Sequence, residues 1–124
     1  MSRLMSVTLT EQAVADRTKT VTRRLGWWAD KNGRRLIYPG DRLTLCRKVM
    51  GRKPGEPLVR LAEVEVLDMS RQQVRVQNTP GEAAREGFPD WTWPEFVAFF
   101  CEEMRCEPTT VVTRIEWRYL DDRP

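Results

Sequence analysis

The sequence predicts an α+β fold: a small mixed β-barrel with about three short flanking helices. Six segments carry the alternation or the β-branched density of strands. Two Thr-x-x-Glu sites open helices by the capping-box pattern. A length of 124 residues with 40% hydrophobic content is enough to bury one core. The last strand candidate must close against the earlier ones over a long sequence distance, which suits a small barrel. Residues 1–124 therefore read as one domain, without repeats, low-complexity stretches or a linker.

Leu4 to Leu9 alternates weakly and predicts a first strand. Thr10 then reads as a helix N-cap, with Leu9 and Val14 at the two positions of a hydrophobic staple, and the helix runs roughly from Glu11 to Asp16. Lys19 to Arg24 alternates again. As a strand it puts Lys19, Val21 and Arg23 on one face and Thr20, Thr22 and Arg24 on the other. Gly26 to Tyr38 looks like an insertion, with Trp27-Trp28 at its start and a hairpin signal at Asn32-Gly33 flanked by Lys31, Arg34 and Arg35. Pro39-Gly40 is a turn into the strand Arg42 to Cys46, which points Leu43 and Leu45 inward. Arg47 to Lys53 continues the basic run into a loop punctuated by Gly51, Pro54, Gly55 and Pro57.

Leu58 to Leu67 is the longest strand candidate, with Ala62, Val64 and Val66 on one face and Leu61, Glu63, Glu65 and Leu67 on the other. Gln72 to Val76 reads as a separate short strand. In Thr79-Pro80-Gly81-Glu82 the threonine caps a helix, Pro80 suits its first position and Gly87 ends it. Thr92 in Thr92-Trp93-Pro94-Glu95 caps a longer helix to about Met104, whose Phe96, Val97, Phe99, Phe100 and Met104 have the spacing of core packing. Val111 to Tyr119 is the last strand, with Val111, Thr113, Ile115, Trp117 and Tyr119 on one face. Asp121 to Pro124 is a tail.

Three cysteines and no histidine point to a reducing compartment. Cys101-x4-Cys106 lacks a second pair to complete a zinc site, and the cysteines read as small hydrophobes. No metal or other cofactor is implied, and the missing histidine excludes Ser-His and Cys-His catalysis. No apolar run approaches a membrane span, and Met1-Ser2-Arg3-Leu4 has no signal-peptide core, so a cytoplasmic location is expected. The net charge is only +3, but residues 17–60 hold 13 Lys/Arg against Asp30, Asp41 and Glu56, a local +10, while the remainder carries −7. Such asymmetry is the footprint of a polyanion ligand, or of non-specific basicity.

Asp16 to Arg24 is the densest chemical stretch, with four cations, three hydroxyls and one carboxylate in nine residues. A strand holding a lysine, hydroxyls and guanidinium forks in register suits phosphate or base recognition. A solvated cationic edge strand accounts for the same residues. In the first reading, phosphates meet Arg17, Arg23, Arg24, Arg34, Arg35, Arg47, Arg52 and Lys53. Trp27 or Trp28 stacks on an unpaired base, or closes the barrel end.

This stretch resembles the signature of the ASCH family, small barrels similar to the PUA domain and associated with RNA. The family pattern is Gly-x-Lys-x-x-Glu-x-Arg, with Thr common in the Glu slot. Lys19, Thr22 and Arg24 fall on its Lys, Glu/Thr and Arg positions. Arg17 stands at the glycine, unless Thr18 is an insertion and Asp16 fills that slot. Tyr38-Pro39-Gly40-Asp41-Arg42-Leu43 resembles the family's Lys-Pro-Gly-Asp turn, and Glu86-Gly87-Phe88 its Glu-Gly-Phe. The resemblance covers most of the chain and extends to small ASCH proteins carried by phages of actinobacteria. It implies a PUA-like barrel with ligand between the rim and a flanking helix, in a cleft lined by Lys19, Thr22 and Arg24 with Glu63 opposite. Single-stranded RNA or a modified nucleotide is the implied partner.

Some ASCH proteins that resemble this chain are amidohydrolases of N-acetylated cytidine, using a Lys, a Thr and a Glu. Carried over by motif, these are Lys19, Thr22 and Glu63, with Glu65 as the alternative carboxylate. Other family members are described as nucleases. The amidohydrolases resemble a shorter barrel without the Trp27–Tyr38 insertion, and the extra basic surface favours a polymer over a nucleoside. A protein-interaction module with an acidic partner is a third class.

Overall fold

The computed structural model describes residues 2–120; Met1 and the expected tail at 121–124 lie outside them. Five strands are formed: β1 (Arg3–Ser6), β2 (Val21–Arg24), β3 (Arg42–Cys46), β4 (Arg60–Gln73) and β5 (Val111–Tyr119). They join in one sheet in the order β1-β3-β4-β5-β2, curled into a half-barrel. β1 runs parallel to β3, and the other neighbours are antiparallel. β1 and β2 are thus the two edges. Between them in sequence lie a 3-10 turn (Thr8–Thr10) and the short helix α1 (Glu11–Ala15); α2 (Glu82–Arg85) and α3 (Trp93–Met104) connect β4 to β5.

The two strands expected at Leu58–Leu67 and Gln72–Val76 are one 14-residue strand, β4. A bulge between Val66 and Asp68 shifts the register against β5, so the inward face passes from Val64 and Val66 to Met69. The break in alternation mimics a strand end in the sequence. The Pro39-Gly40 turn holds the bulge: the Gly40 amide donates to the Val66 carbonyl (2.7 Å) and the Val66 amide to the Asp41 carbonyl (2.8 Å).

The helix starts differ from the expected ones in two places. Leu9 is 63% exposed and Thr10 makes no side-chain cap, because a 3-10 turn precedes α1 and rotates Leu9 outward. α2 begins at Glu82, not at Pro80, and Thr79 caps no backbone amide. Its hydroxyl reaches Glu82 Oε1 (3.2 Å) on a carboxylate drawn inward by arginines. The third site behaves as read: Thr92 and Glu95 exchange both bonds of a capping box, and α3 ends at Arg105 in the left-handed region.

Two apolar clusters result. Met5, Leu43, Leu45, Val64, Val66, Ile115 and Trp117 fill the concave side of the sheet. Val74, Ala83, Trp93, Phe96, Phe100 and Val112 form a second cluster under α3. β5 serves both, so its two faces are covered. Val111 is exposed while Thr113, Ile115 and Trp117 of its expected face are buried, as are Val112 and Arg114 on the other. Among the cysteines only Cys46 is buried; Cys101 and Cys106 are half-buried, and all three are free.

Gly87 sets the approach of α2 to α1. Its φ is +111°, and a Cβ there would lie 2.8 Å from Thr10 Cγ2 and 3.3 Å from Ala13 Cβ. Both the backbone conformation and the space demand glycine. Gly87→Ala is therefore expected to lower stability by about 2–4 kcal/mol, the sum of the left-handed penalty and overpacking. Urea unfolding of the two proteins measures it; a loss under about 1 kcal/mol would show that α1 and α2 separate easily.

Candidate functional site

The chain leaves α1 through Arg17, whose φ of +64° is left-handed. This is the conformation that the glycine of the motif would adopt freely, so the turn is kept with an arginine in it. The Arg17 guanidinium lies 5.0 Å from the Tyr119 ring centroid and donates to the Val14 carbonyl (2.8 Å). The amides of Thr18 and Lys19 both reach the Ala13 carbonyl. The Lys19 carbonyl in turn accepts from Trp117 Nε1 (3.0 Å) and from the Tyr119 hydroxyl (2.5 Å). Lys19 is pinned by the last strand before β2 begins at Val21. Being outside the ladder, it is not bound by the alternation that would set it opposite Thr22.

Lys19 and Thr22 consequently line one cleft, of about 210 Å³, together with Arg23, Arg24 and Glu86. The cleft lies at the seam between the two sheet edges. Arg24 Nη2 crosses the seam to the Ser6 carbonyl (2.7 Å) at the end of β1. The main chain from Ser6 to Thr10 forms one wall, and Phe88, Phe96, Phe99, Phe100 and Met104 form the apolar wall. The Thr22 hydroxyl has no hydrogen-bond partner among the described residues.

Below the cleft is a buried ionic network. Lys19 Nζ donates to the Glu86 carbonyl (2.5 Å) and faces Glu86 Oε1 at 3.5 Å. Arg23 Nη1 pairs with Glu86 Oε2 (2.5 Å), while its Nη2 donates to Glu82 Oε2 (2.7 Å) and Asn78 Oδ1 (2.9 Å). Arg114 Nε reaches the same Glu82 oxygen at 2.7 Å. The Arg23 guanidinium also lies 4.6 Å from the Trp93 ring centroid. Burial pushes Lys19 down to about 8; Glu86 pulls it back up, and Arg24 and Arg23 repel its charge. Burial raises the Glu82 carboxyl, but hydrogen bonds from Arg114 and Arg23 outweigh it and hold the group below its ordinary value.

The other residues read from the sequence lie elsewhere. Glu63 does not line the cleft; its exposed carboxylate accepts from Thr44 (2.7 Å) and Ser2 (3.0 Å). Glu65 pairs with Arg118 on the surface. The carboxylate beside Lys19 is Glu86. Arg23 is fully buried, with two carboxylates and Asn78 taking its amino groups, so it offers no surface donor to phosphate. Arg47 grips Glu11, and Arg52 Nε donates to the Val49 carbonyl; Lys53 and Arg34 are exposed. Trp27 and Trp28 are half-buried against the first cluster, and Arg35 lies 3.8 Å over the Trp28 ring centroid, covering one face. Glu82, Glu86 and Arg114 were not among the predicted site residues. The Glu-Gly-Phe motif signalled Glu86; Glu82 was masked by its capping-box spacing, and Arg114 by its place between apolar strand residues.

Solved structures share this architecture. An ASCH domain from Lactobacillus crispatus JV V101 aligns with a TM-score of 0.59 at 16% identity, over 94% of this chain and 79% of its own. ASCH from Zymomonas mobilis aligns with a TM-score of 0.56 at 16% identity, over 98% of this chain and 68% of its own. The fold is that of the ASCH domain. A DUF984 protein from Enterococcus faecalis V583 shares it too, with a TM-score of 0.65 at 17% identity over 98% and 81% of the two chains. No family model matches the sequence, and no curated protein matches it. Within this ASCH fold, no helix of the described residues is long and apolar enough to cross a membrane. No group of three or more His, Cys, Asp or Glu among the described residues could hold a metal ion.

The position of Lys19 has a measurable consequence. Its pKa of about 8 lies below the ordinary lysine value of 10.5. Below pH 8 both folded and unfolded chains hold the proton, and folding bears the full cost of burying the charge. Between about 8 and 10.5 only the unfolded chain holds it, so stability rises with pH. Relative to Lys19→Met, the wild type is expected to gain up to about 3 kcal/mol across this window, at 1.36 kcal/mol per pKa unit. Urea unfolding of both proteins from pH 7 to 10.5 measures the difference, and parallel curves would refute it.

Proposed function

We propose that this ASCH-fold protein binds single-stranded RNA and admits one nucleotide into the cleft beside Lys19. One observation carries the reading: Lys19, Thr22 and Arg24 share a small cleft with an aromatic wall. The polar groups suit a phosphate and a base edge, and the phenylalanines offer an apolar surface to a base. Arg34 and Lys53 are exposed, and in this reading they meet the phosphates of a longer strand. Labelled single-stranded RNA, followed by fluorescence anisotropy, is expected to bind with a log K against log salt slope of about −0.7 for each phosphate neutralised. Arg24→Gln is expected to weaken binding about tenfold, while Glu63→Gln leaves it within twofold. Absence of RNA binding at low salt would sink the reading.

A second reading, hydrolysis, is favoured by Lys19 being pushed down to about 8 beside an unbonded Thr22 hydroxyl. In it a neutral Lys19 takes the Thr22 proton while Oγ1 attacks an acyl carbonyl. The C–N bond breaks, the protonated Lys19 returns the proton to the leaving amine, and water later frees the acyl group. Glu86, not Glu63, is the carboxylate that would steady the Lys19 charge. Acetate release from N-acetylated cytidine separates the readings. If hydrolysis is the activity, Lys19→Ala cuts turnover at least a hundredfold and leaves RNA affinity nearly intact; background turnover in the wild type removes it.

A further inference from the structure

We propose that the polar end of the cleft is a phosphate site, so that its ligand carries a phosphate and is not a neutral nucleoside. The inference rests on the nucleotide-binding reading of the same cleft. Three cations, Lys19, Arg23 and Arg114, pair with two buried carboxylates, Glu82 and Glu86, and a fourth, Arg24, lines the same cleft within the attraction of Glu86. Arg114 also meets Glu116, but Arg85 shares that carboxylate, so the added pair changes nothing in the balance. Two positive charges are left uncompensated at the floor and edge of the cleft.

The carboxylates are already spent. Glu82 is held by Arg23 and Arg114, and Glu86 by Arg23 and Lys19. Arg24 makes no ion pair among the described residues; the carboxylate that attracts its charge, Glu86, is already bonded to Arg23 and Lys19. Arg24 Nη2 donates to the Ser6 carbonyl, and its Nε is buried without a partner. Arg24 as a whole is half-buried, and a cation drawn partly out of water without an ion pair of its own is costly to keep. Such a site is relieved by a ligand group of charge −1 to −2, which is the charge range of a phosphodiester or a phosphate monoester. The donors left over match it: Arg24 Nε, the third proton of Lys19 and the Thr22 hydroxyl. Phe88 and Phe99 stand at the apolar side, where the base of the same nucleotide packs. A neutral nucleoside fills the apolar side equally well but leaves the charge unanswered.

Calorimetric titration of the intact protein at constant ionic strength tests this. The probes are the four ribonucleosides, their 5′- and 3′-monophosphates, inorganic phosphate and a single-stranded ribo-oligonucleotide. At least one monophosphate, or the oligonucleotide, is expected to bind tenfold or more tightly than the corresponding nucleoside, with inorganic phosphate competing. Arg24→Gln is expected to bring that ratio near one. Tight binding confined to the oligonucleotide assigns the phosphate to an RNA chain, and tight binding of a monophosphate alone assigns it to a free nucleotide. Equal affinity for nucleoside and phosphorylated probes, or no competition by phosphate, overturns the phosphate site and leaves the nucleotide reading standing. Failure of every nucleoside, nucleotide and RNA probe to bind overturns the reading beneath it. The wild-type ratio decides the matter even where Arg24→Gln does not fold.

Discussion

Glu86 Oε2 takes Arg23 from β2, while Glu86 Oε1 and its carbonyl take Lys19 from the segment before that strand. One residue at the end of α2 therefore fixes two cations of the opening segment, and the neighbours of Glu86 complete the work. Gly87 allows α2 to lie against Thr10 and Ala13, and Phe88 turns into the cleft wall. The three residues are consecutive because the helix end, the close approach and the cleft wall must follow one another within one turn. Burying such pairs is a weak source of stability, since an apolar cluster of equal volume does as well. What the pairs provide is orientation. A lysine head held by a carbonyl at 2.5 Å and a carboxylate at 3.5 Å cannot swing out along the seam.

The seam itself follows from the topology. β1 and β2 are edge strands with no ladder between them, so the curled sheet stays open along one line. A side chain spans that line where a backbone ladder would close a full barrel: Arg24 reaches the Ser6 carbonyl. Edge strands are commonly protected by charge or cover. Here α3 covers the opening with phenylalanines, and the space left between helix and seam is the cleft. The cleft and the unclosed edge are the same feature of the fold.

The periodic parts of this chain were legible from sequence. The strands β2, β3 and β5 and the Thr92-capped α3 fall where alternation and capping put them. Failures occurred where one residue served two purposes. Glu82 has the spacing of a capping carboxylate but pairs with Arg23 and Arg114, so α2 starts late. The bulge after Val66 split β4 into two apparent strands, because its cause is a turn at Gly40 about 25 residues away in sequence. The motif residues Lys19, Thr22 and Arg24 line one cleft, whereas strand alternation alone put Lys19 and Thr22 on opposite faces. The left-handed Arg17 and the two bonds on the Lys19 carbonyl keep Lys19 out of the ladder, and neither is visible in residue types. The choice of Glu63 followed a motif slot; distance to Lys19 is a tertiary quantity and selected Glu86.

The same distinction applies to charge. Residues 17–60 carry a formal +10, but much of it is answered inside the protein. Arg23 and Lys19 meet glutamates of α2 and its end, and Arg47 meets Glu11, all three carboxylates lying outside the segment. The segment's net charge therefore overstates the field that reaches solvent, and long-range steering is further screened within about 8–10 Å at ordinary salt. Selection of a ligand then falls to the short range. There a cleft of about 210 Å³ sets Lys19, Arg23 and Arg24 against Glu86, with Glu82 and Arg114 bonded beyond Arg23. In the proposed reading, basicity draws a polyanion to this face, and the charge of Arg24 at the seam holds one phosphate-bearing unit there.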